Sequence, residues 1–179
     1  MRKFCLTIIV LAGFSKALFA QFGNCTASEM QTYTDRETGN TITILTDTLK
    51  NDRFLYQTDP MWTHDGKYLL FRSSSRANDK KIERTLPNGE KRSWTPTQIY
   101  FIEMATGQII QATEGPDLGS AFLANKSNRM FISRKEKEDW NMYVMDLDKF
   151  FADVKKGKVG KPTAYETLLG TFPTSMGRP

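Results

Sequence analysis

DPMWTHDGKYLLFRSSSR (residues 59–76) and TQIYFIEMATGQIIQAT (residues 97–113) are the two stretches that decide the fold. Each contains a short apolar run, Tyr68–Phe71 and Ile99–Ile102, rich in aromatic and β-branched residues and bounded by turn-forming residues, the signature of a β-strand. Asp65-Gly66 and Thr106-Gly107 supply tight turns, with glycine where a positive φ is needed. Four strands follow in order, at about 59–62, 68–72, 98–104 and 108–112. The apolar runs are continuous rather than alternating, as expected of a sheet covered on both faces. A blade sandwiched between two neighbours in a β-propeller has that environment. Residues 59–112 therefore read as one four-stranded blade.

Working outward, the pattern repeats. EMATGQIIQATEG (103–115) is matched upstream by DRETGNTITILTD (35–47), with the same Thr-Gly turn and a short outer strand expected at 41–46. Downstream, AFLANKSNRMFISRK (121–135) aligns with PMWTHDGKYLLFRSS, and NMYVMDLDKF (141–150) aligns with QIYFIEMATG. A second blade is expected over 120–165, fading through the Lys- and Gly-rich 152–162. The spacing of about 62 to 68 residues exceeds the ~40–50 of compact propeller repeats. A polar insertion, Ala77–Thr97 with Asn88-Gly89, accounts for most of the excess and falls between the second and third strands. In a propeller that loop emerges on the same face as the blade-to-blade connections, the face that commonly carries a binding site.

The expected architecture is all-β: a partial propeller of two four-stranded antiparallel blades plus one orphan outer strand, filling residues 35–179 behind an extended arm at 21–34. A closed ring takes four to eight blades. An open stack leaves an apolar blade face and unpaired edges, so the chain reads as the N-terminal portion of a longer protein, needing C-terminal blades or another copy to close the ring.

The first twenty residues read as a secretory signal: Arg2 and Lys3 ahead of the apolar Phe4–Phe14, then Leu18-Phe19-Ala20 before cleavage. The apolar core is short for a membrane span, so no membrane association is expected after cleavage and the destination is the periplasm or the exterior. A lipid anchor on Cys25 is a weaker alternative. Cleavage leaves 22 basic against 20 acidic residues, a net charge of +2. No uniform field for nucleic acid follows from that balance. Cys25 alone remains, so no internal disulfide staples the chain.

The run DRETGNTITILTDTLKNDRFLYQTDPMWTHDGKYLLFRS (35–73), with IYFIEMATGQIIQATEG and AFLANKSNRMFIS, resembles the N-terminal blades of secreted oligogalacturonate lyases and, more loosely, TolB-like propeller repeats. The resemblance covers about 35–150. It implies cleavage of pectin-derived oligogalacturonate by β-elimination, assisted by manganese or another divalent cation held by a His and Gln cluster. The metal neutralises the uronate carboxylate and a histidine removes the C5 proton. That chemistry takes several histidines, and this chain has one, His64. The resemblance therefore puts the metal and the base in later blades, with no catalytic residue and no bound metal expected here.

His64, ahead of Asp65-Gly66, reads as a turn residue rather than a metal ligand or base. Asp146 and Asp148 read as a solvated turn in preference to a calcium site. Trp62, in an inner strand, is expected in the core, whereas Trp94 in the insertion is a candidate sugar platform. Arg72, Arg76 and Arg134 fall at or just past the ends of second strands, where guanidinium forks would suit a polyuronate; solvated loop charges are the competing reading. No phosphate loop, nucleophile elbow or paired Cys/His ligand spacing is present. Three functional classes remain: part of a pectin-fragment lyase, a non-catalytic propeller module binding a protein or glycan in the periplasm, or an inactive remnant.

Overall fold

A computed structural model describes residues 21–77, 81–86, 88–115, 118–173 and 175. The signal sequence expected at 1–20 lies outside them. In chain order the strands are β1 (Cys25–Thr26), β2 (Gln31–Thr34), β3 (Thr41–Ile44), β4 (Asp52–Arg53), β5 (Tyr68–Ser73), β6 (Ile82–Thr85) and β7 (Lys91–Trp94). They continue as β8 (Gln98–Glu103), β9 (Ile109–Gln111), β10 (Leu118–Leu123), β11 (Arg129–Glu136) and β12 (Asp139–Asp146), then helix α1 (Leu147–Lys155) and a last strand, β13 (Glu166–Pro173). The chain is a partial all-β propeller.

Blade one has the order β1-β9-β8-β5-β4, antiparallel throughout. Its three central strands are the apolar runs and the outer strand read from the sequence. Gly107 at φ 74° closes the turn that pairs β8 with β9, and Gly66 at φ 69° the turn that leads into β5. Gly107 is fixed twice over: a Cβ there would collide with the Ser28 side chain.

The inner edge departs from expectation. The strand expected at 59–62 forms a single bridge, Trp62 to Leu69, flanked by a 2.7 Å hydrogen bond from the Leu70 amide to the Met61 carbonyl. The far half of β5 is paired instead by β4, so two separate pieces share the innermost position. Between them Leu55 is buried in the shared core. Trp62, expected in the core, is 47% exposed, because no further strand among the described residues covers this broken edge.

The arm at 21–34 is more structured than its lack of period implied. Cys25–Thr26 adds a fifth strand to the outer edge of blade one, in register with Ile109 and Ile110. The strand expected alone at 41–46 is β3, and it has a partner: β2 pairs with it along Gln31–Ile44 to Thr34–Thr41.

Blade two is four-stranded, in the order β10-β11-β12-β13. Its outer strand is β13, beyond the boundary expected at 165, because α1 intervenes. Leu147, Phe150, Phe151 and Val154 recur at helical spacing and are buried together. Asp146 caps the helix, accepting 3.0 Å from the Lys149 amide. Asp148 sits in the first turn and accepts 2.8 Å from Asn128 Nδ2. These two acids therefore start a helix, where a solvated turn was expected.

The two blades and α1 share one core. Tyr68, Leu70, Ile99, Phe101 and Ile110 of blade one meet Ala121, Leu123, Met130, Ile132 and Met145 of blade two around Phe150 and Phe151. Tyr68 stacks on Phe151 with ring centroids 3.6 Å apart, and Phe101 meets the same ring edge-on at 5.1 Å. Each such pair adds roughly 0.5–1.5 kcal/mol beyond the area it buries. The opposite face of blade one, with Phe71, Tyr100, Ile102 and Ile109, packs under Met30 and Leu45 from the arm and the segment after β3.

Candidate functional site

The loops joining β5 to β8 and β9 to β10 leave the blades at the same end, where Ser73, Gln98 and Leu118 terminate their strands. The insertion forms its own hairpin there, β6 with β7, turning at Asn88-Gly89. Trp94 closes that hairpin opposite Ile82 and is 38% exposed.

The three arginines assigned to this end have three different environments. Arg76 donates from Nε and Nη2 to Asp52 at 2.9 and 2.6 Å, and from Nη1 and Nη2 to Glu29 at 2.8 and 2.6 Å. Its side chain is 7% exposed and lies over the Phe71 ring. Burial works against the charge, but the bonds to Glu29 and Asp52 outweigh it and hold the guanidinium above its ordinary pKa. Glu29, in turn, is held down at about 2 by its hydrogen bonds from Arg76. This fork rivets the arm to β4. It is not free to take a ligand.

Arg134 is spoken for in the same way. Its two terminal nitrogens donate to Glu166 of β13 at 2.5 and 2.6 Å, and its guanidinium faces the Tyr143 ring at 5.5 Å. Burial opposes the charge here too, and Glu166 more than offsets it. Both forks, expected to face a polyuronate, are neutralised by carboxylates of this chain.

Arg72 differs. It lies in β5 directly opposite Arg53 of β4, two like charges in cross-strand register. Among the described residues Arg72 has no hydrogen-bond or ion-pair partner, and Arg53 has one polar contact, Nε to Asn51 Oδ1 at 3.2 Å. Both line a cavity of about 290 Å³ with Asn51, Phe54, Ser74 and Thr97. Asn51 is fixed by two further 2.8 Å bonds, its amide to Ser75 Oγ and its Nδ2 to Ser74 Oγ. Phe54 is 56% exposed at the rim. Arg53, Phe54 and Asn51 were missed as site residues, because the register that sets Arg53 against Arg72 has no mark in the local sequence. Trp94 is not among the residues lining this cavity.

His64 lies at the other end of β5, in the turn before it, with Nδ1 3.1 Å from the Asn125 carbonyl of the neighbouring blade. Among the described residues no three His, Cys, Asp or Glu side chains converge to hold a metal ion. With His64 occupied in a turn contact and far along the strand from Arg72, the residues described do not fit a manganese centre. No described helix is long and apolar enough to cross a membrane.

No family model matches the sequence, and no curated protein matches it. Solved structures do. An oligogalacturonate lyase in complex with manganese superposes with a TM-score of 0.52 at 22% identity, over 73% of this chain and 30% of that one. The oligogalacturonate lyase of Vibrio parahaemolyticus superposes with a TM-score of 0.51 at 23% identity, over 72% of this chain and 29% of its own. The chain has the fold of an oligogalacturonate lyase segment. It spans about 30% of the length of these structures.

Proposed function

We propose that the chain is the N-terminal part of a secreted or periplasmic propeller that cleaves pectin-derived oligouronates by metal-assisted β-elimination. The observation carrying this is the fold shared, over 73% of the chain, with an oligogalacturonate lyase in complex with manganese. The division of labour follows from chemistry. Elimination needs a base at C5 of the uronate and a counter-charge for its carboxylate. His64 sits in a turn at the wrong end of β5 to serve a ligand at Arg72. The base and the metal ligands therefore belong to segments beyond these residues, and this chain contributes binding. Arg72 and the half-exposed indole of Trp94 are the groups assigned to the sugar; Arg76 and Arg134 hold the blades' own edges.

Calorimetric titration with digalacturonate, followed by incubation with manganese and ultraviolet detection of the unsaturated product, tests this directly. The expected result is binding without product. Absence of binding overturns the pectin assignment, and turnover by this chain alone overturns the placement of the catalytic groups.

A further inference from the structure

We propose that Arg53 and Arg72 form a two-armed carboxylate clamp, gripping an acidic ligand in the cavity bounded by Asn51, Phe54, Ser74 and Thr97. Where the ligand is taken to be a uronate, the proposal rests on the lyase-like function given above; the clamp itself rests on the charges alone.

Directly opposed like charges in an antiparallel pair destabilise the sheet. Two largely buried arginines of this fold are neutralised by carboxylates: Arg76 has two and Arg134 has one, gripped through both terminal nitrogens, whereas Arg53 is exposed and Arg72 half-buried. Arg53 and Arg72 are left without any carboxylate among the described residues, although Asp52 lies next in sequence to Arg53. Alternation explains why. Asp52 points to the opposite face of the strand and is already committed to Arg76. The pair thus carries an unbalanced double positive charge on one face of a cavity of about 290 Å³.

The remaining walls are built for a ligand with both polar and apolar faces. Asn51 holds the Arg53 side chain through its Oδ1, while Ser74 and Thr97 add hydroxyl groups beside Arg72. Phe54 offers an exposed ring at the mouth. Two guanidinium forks on neighbouring strands match a carboxylate, or two carboxylates on adjacent units of an acidic oligomer. A ring face of a sugar or cyclic acid would lie on Phe54.

The test follows the Nε–Hε signals of Arg53 and Arg72 by NMR during titration with digalacturonate and, separately, with citrate as a simple polycarboxylate, at constant ionic strength. The clamp predicts that both signals shift with digalacturonate, and that Arg72→Met and Arg53→Met each weaken binding roughly tenfold. In the free protein, Arg72→Met should leave the unfolding midpoint unchanged or raise it, since it relieves the repulsion, which also establishes that the variant folds. Shifts with citrate but not digalacturonate uphold the clamp while overturning the uronate assignment. Digalacturonate binding with both arginine signals unmoved overturns the clamp and leaves the pectin assignment standing. If neither ligand moves them, the clamp is wrong.

Discussion

Blade one is covered on both faces and blade two on one. The arm and the segment after β3 close over Phe71, Tyr100 and Ile102 on the far side of blade one. On the far side of blade two, Phe122 stacks on Phe131 at 5.2 Å; among the described residues Phe122 stays 39% exposed, and Phe172, in register with Trp140, 40% exposed. The two sheets are built from the same repeat, so the difference lies in what surrounds them. A propeller blade is a layer, and a layer with an open apolar face is a surface made to be stacked on. The continuous apolar strands, Tyr68–Phe71 above all, describe that sandwiched state more faithfully than any single blade could.

Truncations give the widest contrast between the two faces. Phe101→Ala, in the shared core and fully buried, should cost roughly 3–5 kcal/mol. Phe131→Ala, on the open face, should cost under about 1.5 kcal/mol, since part of its surface already faces water. Urea denaturation of the two variants measures both, and equal losses would break the distinction.

The edges come next. Glu166→Gln strips the counter-charge from Arg134, whose partner carboxylate is 3% exposed, and should destabilise blade two by about 2–3 kcal/mol. Thermal unfolding checks it; a loss below about 1 kcal/mol would make the pair a surface contact. Asp146→Ala removes the α1 cap and should cost about 1 kcal/mol, read by the same melt together with the helical circular dichroism signal.

The most local effect is pH-dependent. Glu29 has its pKa lowered from 4.5 to about 2 in the fold. Its contribution is therefore fully present above pH 4.5 and is lost progressively as pH falls toward 2. The Asp47 amide, which donates to Glu29 Oε2 at 2.8 Å, should report this as a chemical-shift titration with a midpoint well below 4. Arg76→Met should move that midpoint up toward the ordinary carboxylate range. A midpoint near 4.5 in the unaltered protein would remove Glu29 from the rivet.

Much of the architecture was legible because it is local. Asp65-Gly66, Thr106-Gly107 and the apolar runs mark β5, β8 and β9 to within a residue or two. Elements held by backbone pairing alone were not: Cys25–Thr26 joins the sheet through main-chain bonds to Ile109–Ile110 while its side chains face water. Helix α1 was readable in principle from Asp146 and the spacing of Leu147, Phe150, Phe151 and Val154. Its start coincides with the repeat's expected turn, and the turn pattern masked it. The candidate site was the least visible. Whether an arginine is free depends on carboxylates far along the chain: Glu29 is 47 residues from Arg76 and Glu166 is 32 from Arg134. The opposition of Arg53 and Arg72 depends on a register across the broken inner edge.

Native-state hydrogen exchange bears most directly on the claim that two blades share one core while only one is fully clothed. The amides of Leu70 and Ile99 in blade one and of Ile132 and Met145 in blade two should exchange with one common, highest free energy of opening, and those of β13 with a lower one. Separate opening of the blade-two core, well below that of blade one, would contradict the account.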